Sequence, residues 1–325
     1  MELEGSNCMN QPKILITGGT GFAGSHLVEA LLLEGYTDIH VTSLSGKDTF
    51  FESLIGAANI HSLDLTDAPS VNKLFAELQP NQIYHLAALA SVGKSFDEAN
   101  RVLINNIVLQ QNVLLAVRDF CKQARLLIVG SAEEYGVSVS DSEIPVTESH
   151  PFRPINPYGV SKATQDMLAY SYFISYDLDI VTVRPFNHIG ERQSSDFAIP
   201  AFAQQIVQIE RGEQAELNVG DLSTIRDFTD VKDMVKGYII VMNHGVTGEA
   251  YNIGSGVGTK MSDIVATLSS LSTKKIETNI DTTRLRPHDI PKMVANNDKI
   301  KKLGWSPEYD IAETLKRIIS WYRKN

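Results

Sequence analysis

One turn limits what this chain can fold into. The apolar, β-branched run Lys13-Ile-Leu-Ile-Thr17 passes directly into Gly18-Gly-Thr-Gly21-Phe-Ala-Gly24, and a helical pattern follows from Ser25 to Glu34, stopping at Gly35. A short run of that kind suits a parallel strand buried on both faces. Glycines at 18, 21 and 24 allow a tight turn, a close approach of backbone to pyrophosphate, and close packing of helix on strand. The helix start then offers amides and a favourable dipole to phosphate. Glycine-rich turns are common, but in this strand–turn–helix setting the reading is a dinucleotide site.

The pattern repeats along the chain. Asp38-Ile-His-Val-Thr-Ser43 reads as a second strand. An acidic residue at its end would take adenosine ribose hydroxyls and favour NAD. Thr42, Ser43 and Leu44 stand there instead, with Lys47 soon after, so the lean is toward NADP, although no arginine replaces the carboxylate. Ile60 to Asp67 reads as a third strand ending in a polar turn, where Asp64 is either an adenine contact or a turn aspartate. A helix over 69–79 leads to the strand Gln82-Ile-Tyr-His-Leu-Ala-Ala88, whose small residues let a cofactor lie against the backbone. The helix 101–121 carries Asn105 and Asn106, and Arg125 to Val129 is a fifth strand that ends in Gly130-Ser131-Ala-Glu133-Glu134-Tyr135-Gly136. Alternation of this kind means a doubly wound parallel sheet, with ligands beyond the carboxyl ends of its strands. Residues 137–157 make a long connection, either a lid or a loop without a task. Tyr158 and Lys162 then share a helix face four residues apart, which is expected to lower the phenol's pKa.

Composition excludes other classes. A net charge of −10 argues against a nucleic-acid surface. Cys8 and Cys121 are too few and too far apart for a disulfide framework or a zinc site, which fits the cytoplasm. The eight histidines lack metal-ligand spacing, and no apolar run reaches the ~20 residues of a membrane span. Residues 1–11 read as a mobile leader.

Taken in order, the glycine turn, Ser131 and the Tyr158/Lys162 pair resemble the extended short-chain dehydrogenase/reductase family of epimerase/dehydratase type. The resemblance runs from about Lys13 to Tyr322 and implies a Rossmann domain over 12–185, with 225–255 returning to it. A smaller α/β substrate domain would comprise 186–224 and 256–325. It implies NADP(H) or NAD(H) held by Gly18, Thr20, Gly21, Phe22 and Gly24 at the turn. Ser43, Asp64, Leu65, Leu86, Ala87, Ala88, Asn105, Tyr158 and Lys162 would complete the cofactor site. In that family the serine hydroxyl bonds the substrate oxygen, the tyrosine moves a proton, and the lysine orients the nicotinamide ribose. Arg184-Pro-Phe-Asn187-His-Ile-Gly190, Arg226-Asp-Phe-Thr-Asp-Val231 and Arg284-Leu-Arg286-Pro-His-Asp289 are similar to its nucleotide-sugar contacts, implicating Asn187, Arg226, Arg286 and Asp289. A solvated Arg226–Asp227 pair is the plainer alternative. The helices 101–121 and 158–176 resemble those of a four-helix homodimer contact.

Within the nucleotide-sugar branch the resemblance favours reduction of the C4 ketone of a GDP-4-dehydro-6-deoxy-hexose. GDP-mannose 4,6-dehydration is the neighbouring reading. Dehydration needs a further acid/base beside the serine: Ala132 cannot move a proton, whereas Glu133 can. A 4-epimerase, or a nucleotide-binding redox sensor or scaffold, completes the alternatives.

Overall fold

The computed structural model describes residues 11–44, 49–56, 59–90, 92–136, 143–284 and 289–325. Its first half alternates without exception: β1 (Ile14–Thr17), α1 (Phe22–Leu33), β2 (Ile39–Ser43), α2 (Thr49–Ile55), β3 (Ile60–Ser62), α3 (Ala68–Leu78) and β4 (Gln82–His85). Then come α4 (Val92–Asp97), α5 (Ala99–Phe120), β5 (Arg125–Val129), a 3-10 turn (Ala132–Glu134), α6 (Pro157–Tyr176) and β6 (Ile180–Pro185). The second half holds β7 (Asn187–Ile189), α7 (Ala198–Arg211), β8 (Leu217–Val219), β9 (Ile225–Asp230), α8 (Val231–His244) and β10 (Ala250–Ile253). It closes with β11 (Gly258–Lys260), α9 (Met261–Ser270), β12 (Thr278–Ile280), β13 (Lys292–Met293), α10 (Asp298–Lys301) and α11 (Ile311–Lys324).

Seven parallel strands form the large sheet in the order β10-β6-β5-β4-β1-β2-β3. Successive residues face opposite sides, so one strand feeds two cores. Ile14 and Ile16 pack with Val41, Val181 and Val183 against α1 and α8, while Leu15 packs with Ile83 and Leu126 against α3, α5 and α6. Each fully buried Ile or Leu contributes roughly 1.5–3 kcal/mol, which is why strands this short stay in register. The strand order reverses between β1 and β4. A crevice opens at such a switch point, beyond the carboxyl ends of the strands.

A second, smaller layer follows, in contact with α1 through Phe22 and His188. β9 pairs with β7, β11 and β13, β8 pairs with β12, and α7, α9 and α11 cover the resulting core. Here the boundary read from sequence is corrected. Of 225–255, only α8 and β10 return to the large sheet, and Ile225–Asp230 is a strand of the small one. β9 carries Arg226, Asp227, Thr229 and Asp230, a polarity ill suited to a central strand covered by helices on both faces. Among the described residues, no helix is long and apolar enough to cross a membrane.

Candidate active site

β5 leaves the sheet at Val129, and Ser131 caps the short turn that follows. Its Oγ accepts from Glu133 N at 3.2 Å, and its own N–H donates to Glu134 Oε1 at 2.7 Å. Across from this turn α6 begins, with Pro157 in its first turn and Asn156 as its cap. Asn156 Oδ1 accepts from Gly159 N at 2.7 Å, and its Nδ2 donates to Glu133 Oε2 at 2.7 Å, so one amide ties the two elements together. The consequence is that the Tyr158 phenol comes near the Ser131 side chain, close enough for the serine to pull its pKa down. One helical turn on, Lys162 Nζ donates to Val129 O at 2.7 Å. Ser131, Tyr158 and Lys162 are thus gathered at one strand end, all buried.

The expected lowering of the tyrosine pKa is overturned. Burial pushes Tyr158 above its ordinary value, the nearby Ser131 side chain pulls the other way, and the charges of Glu133 and Glu134 raise it further. Lys162 Nζ, which donates to the Val129 carbonyl, is not among the groups that act on the phenol. The phenol therefore keeps its proton through the neutral range, which makes it an acid. Burial lowers Lys162 from 10.5 to about 8, against the opposing charge of Glu134. His85, at the end of β4, is pushed down to about 3 by burial and by Lys162, so it is a neutral imidazole; Thr17 Oγ1 lies 2.8 Å from its Nδ1.

The glycine turn lies two strands away, at roughly 10 Å given ordinary strand spacing. Gly18 has φ +67°, and a Cβ there would sit 2.9 Å from Ala87 Cα; one on Gly24 would sit 2.4 Å from Gly18 O. Gly21 is exposed at the start of α1, where no side chain caps the helix. The residues fit a dinucleotide: a backbone-lined cradle and the uncapped first turn of a helix meet what a pyrophosphate needs. Phe22 stacks on His188 with planes 4° apart and centroids at 5.7 Å. Thr20 Oγ1 donates to Ser43 Oγ at 3.1 Å, tying the turn to the end of β2; Lys47 lies outside the described residues.

Leu86, Ala87 and Ala88 follow β4 half-buried, and Ala87 N donates to Thr17 Oγ1 at 3.3 Å. Asp64 is exposed, and its Oδ1 accepts from Thr66 N and Oγ1, both at 2.8 Å, so the turn reading holds for that oxygen. The Leu65 side chain is in the core with α3 and α5, and its carbonyl accepts from Asn112.

Asn105 is half-buried and donates to Asn106 Oδ1 at 3.4 Å. It is Asn106 that the site is built on. Fully buried, it accepts from Leu89 N at 2.8 Å and donates to Leu89 O at 3.1 Å and Ser161 Oγ at 3.0 Å, joining the loop after β4 to α6. The sequence offered two adjacent asparagines, but neighbours on a helix point about 100° apart, and only packing reveals which faces inward.

On the substrate side, Asn187 is exposed at the start of β7. Arg226 NH2 donates to Asp289 Oδ1 at 2.6 Å, so two of the expected residues pair with each other. Arg286 lies outside the described residues. The alternative Arg226–Asp227 pair is not formed, because Asp227 points inward and accepts from the amides of Ser255, Gly256 and Ala295. The loop after β7 docks on α1: His26 Nε2 meets Glu191 O at 3.0 Å, and Arg192 makes two bonds to Glu29, at 3.0 and 2.6 Å. Of the 137–157 connection, 137–142 is outside the described residues. From Val146 onward it is pinned, with Val146 N on Val294 O and Asn296 N on Val146 O, both 2.8 Å.

Among the described residues no cluster of His, Cys, Asp and Glu could hold a metal ion. A family model described as GDP-mannose 4,6 dehydratase matches residues 15–318. The chain is 30% identical to the GDP-6-deoxy-D-mannose reductase of Pseudomonas aeruginosa, covering 95% of this chain and 96% of that one. It is 29% identical to the mouse dTDP-D-glucose 4,6-dehydratase, covering 96% and 89%. Among solved structures, RMD from Pseudomonas aeruginosa complexed with NADPH superposes with a TM-score of 0.84 at 29% identity, covering 97% of this chain and 99% of that one. The Thermotoga maritima UDP-glucose 4-epimerase with UDP-glucose gives 0.85 at 29%, covering 96% and 98%.

Proposed function

The chain belongs to the GDP-mannose 4,6-dehydratase family, among the extended short-chain dehydrogenase/reductases, and on that premise we propose that it reduces the C4 ketone of a GDP-4-dehydro-6-deoxy-hexose to GDP-6-deoxy-mannose (GDP-rhamnose). The family is one of NAD(P)-dependent sugar-nucleotide oxidoreductases and dehydratases. The observation that carries the reading is the gathering of buried Ser131, Tyr158 and Lys162 at the end of β5, where Asn156 ties the serine's turn to the start of α6. A ketone being reduced needs a proton on its oxygen, and Ser131 and Tyr158 present one. Ser131 donates to the ketone oxygen and polarises it, and Tyr158 delivers the proton as the alkoxide forms. Lys162 and the glycine turn would hold the nicotinamide cofactor, which when bound supplies the hydride to C4. Ser43 in place of a carboxylate supports NADPH over NADH, as does the NADPH complex of the Pseudomonas structure. Arg226, oriented by Asp289, would position the nucleotide diphosphate, and Asn187 the sugar. A guanidinium suits phosphate because its planar fork makes paired bonds.

Glu133 favours one second reading, the dehydratase, which needs a carboxylate beside the hydroxyl. Against it, Asn156 holds Glu133 Oε2 at 2.7 Å, and Ala132 supplies no proton. The low cysteine use supports a cytoplasmic setting. Exposed apolar side chains on α5 and α6 support a homodimer. The test is to incubate purified protein with GDP-mannose alone, and separately with the 4-keto-6-deoxy sugar nucleotide plus NADPH or NADH. Cofactor oxidation with the keto sugar only is the expected result. Conversion of GDP-mannose without added reductant would instead establish the dehydratase.

A further inference from the structure

Three consecutive residues after β7 are seated at a cost. Glu191 Oε2, Arg192 Nε and Gln193 Oε1 are buried and have no hydrogen-bond partner among the described residues. Arg192 also holds φ +71°, a backbone conformation that a side chain disfavours. A buried polar atom left unpaired keeps its full desolvation penalty, so these costs vanish when the segment lifts into water. What holds it down is the helix that begins at the glycine turn. Phe22, His26 and Glu29 stand at i, i+4 and i+7, on one face of α1. Phe22 stacks on His188, His26 Nε2 donates to Glu191 O at 3.0 Å, and Glu29 accepts from both arms of Arg192, at 3.0 and 2.6 Å. From the other side α11 reaches the same segment: Arg317 Nε donates to Glu191 Oε1 at 3.0 Å, and Tyr322 OH to Gln193 O at 3.2 Å.

We propose that Arg192 is a positioning residue that couples the two binding sites: its clasp on Glu29 makes the seating of 191–193 common to a dinucleotide at the head of α1 and a nucleoside diphosphate at β7, so that each ligand tightens the other. The proposal rests on the reading of those two sites given above. The contacts run without a break from one to the other. Phe22 lies in the first turn of α1, where a pyrophosphate would lie, and its Cε2 would be 3.6 Å from a Cβ on Gly190. Gln193 Nε2 donates to His188 O at 3.1 Å, and His188 follows Asn187 directly. A ligand that fixes either end therefore fixes the segment, and the second ligand no longer meets the cost of ordering it. Partly exposed ion pairs contribute little to stability. A two-armed arginine–carboxylate pair nevertheless has one geometry, and transmission needs that geometry more than strength.

The test variant is Arg192→Gly, which accepts φ +71° without strain and removes the clasp, so the fold is expected to stand. Should it melt early, Glu29→Gln, which leaves the backbone alone and removes the charge, takes its place. Amide hydrogen exchange is followed with and without NADPH. In the unmutated chain NADPH should slow exchange across 190–193 at least about fivefold. In the variant that effect should vanish while NADPH affinity, read by calorimetry, stays within about twofold. Protection missing from the unmutated chain, or surviving in the variant, overturns the proposal. GDP, and separately UDP, is then titrated into each protein with and without saturating NADPH. The cofactor should tighten nucleotide binding at least about fivefold in the unmutated chain and leave it unchanged in the variant. Nucleotide affinity indifferent to NADPH in the unmutated chain, or no nucleotide binding at all, overturns the coupling. NADPH-dependent tightening of UDP with no binding of GDP would refute the GDP-hexose reading and leave the role of Arg192 standing.

Discussion

At the scale of single residues, the site's behaviour is decided by burial more than by formal charge. Tyr158 and Lys162 share a helix face, and on a solvated helix that would draw the phenol's pKa down. In the folded chain both are removed from water, so the phenol holds its proton and the ammonium is the group nearer release. The sign of the pH dependence follows. Below the lysine's midpoint of about 8 the cation is present; as pH rises through it the cation is lost, while Tyr158 stays protonated on both sides. The kcat/KM of reduction is therefore expected to be level from neutrality and to fall along a single alkaline limb centred near 8, measured as initial rates across pH. Tyr158→Phe should lower turnover by at least about a hundredfold while nucleotide binding, followed by calorimetry, survives. Turnover retained in that variant would remove the tyrosine from its assigned role.

At the scale of elements, the site depends on amides that bridge pieces distant in sequence. Asn156 joins the Ser131 turn to α6, and Asn106 joins the loop after β4 to the same helix. Truncating Asn106 to alanine leaves the partly buried Leu89 amide and carbonyl without their side-chain partner and takes one hydrogen bond from Ser161 Oγ, which keeps its bond to Tyr158 O. A loss of about 2–4 kcal/mol is expected from unfolding in denaturant, with the cofactor side of the crevice loosened. The alternation of strands and helices up to β6 was legible in sequence because each apolar run is short and each is punctuated by glycine or polar turns. The placement of β9 was not: its partners β7, β11 and β13 lie as far away as residues 187 and 293, and nothing local encodes such pairings. Nor was Glu134 legible, since a glutamate beside Glu133 reads as surface charge until a fold encloses it.

At the scale of the whole molecule, α6 has two opposed duties. Its inner face carries Tyr158, Lys162 and Asp166, all buried, and its outer face exposes Val160, Met167 and Ile174 at 41, 63 and 61%. Those three are spaced by seven residues, so they form one stripe along the helix, and Ile104 of the neighbouring α5 is exposed at 64%. A continuous apolar stripe on a stable monomer is costly to hydrate, and a second copy of the same stripe would cover it with two-fold symmetry. The helix that bears the acid and the ammonium would then be clamped from both sides, its inner face by the sheet and its outer face by a partner helix. If this is how the molecule is used, Met167→Glu with Ile174→Glu places like charges across the contact and should convert a dimer to a monomer, read by sedimentation equilibrium. Neither residue reaches the crevice, so cofactor affinity should hold while kcat falls, because α6 has lost its outer support. A double variant that sediments as the unmutated chain does would show that the stripe is not the interface.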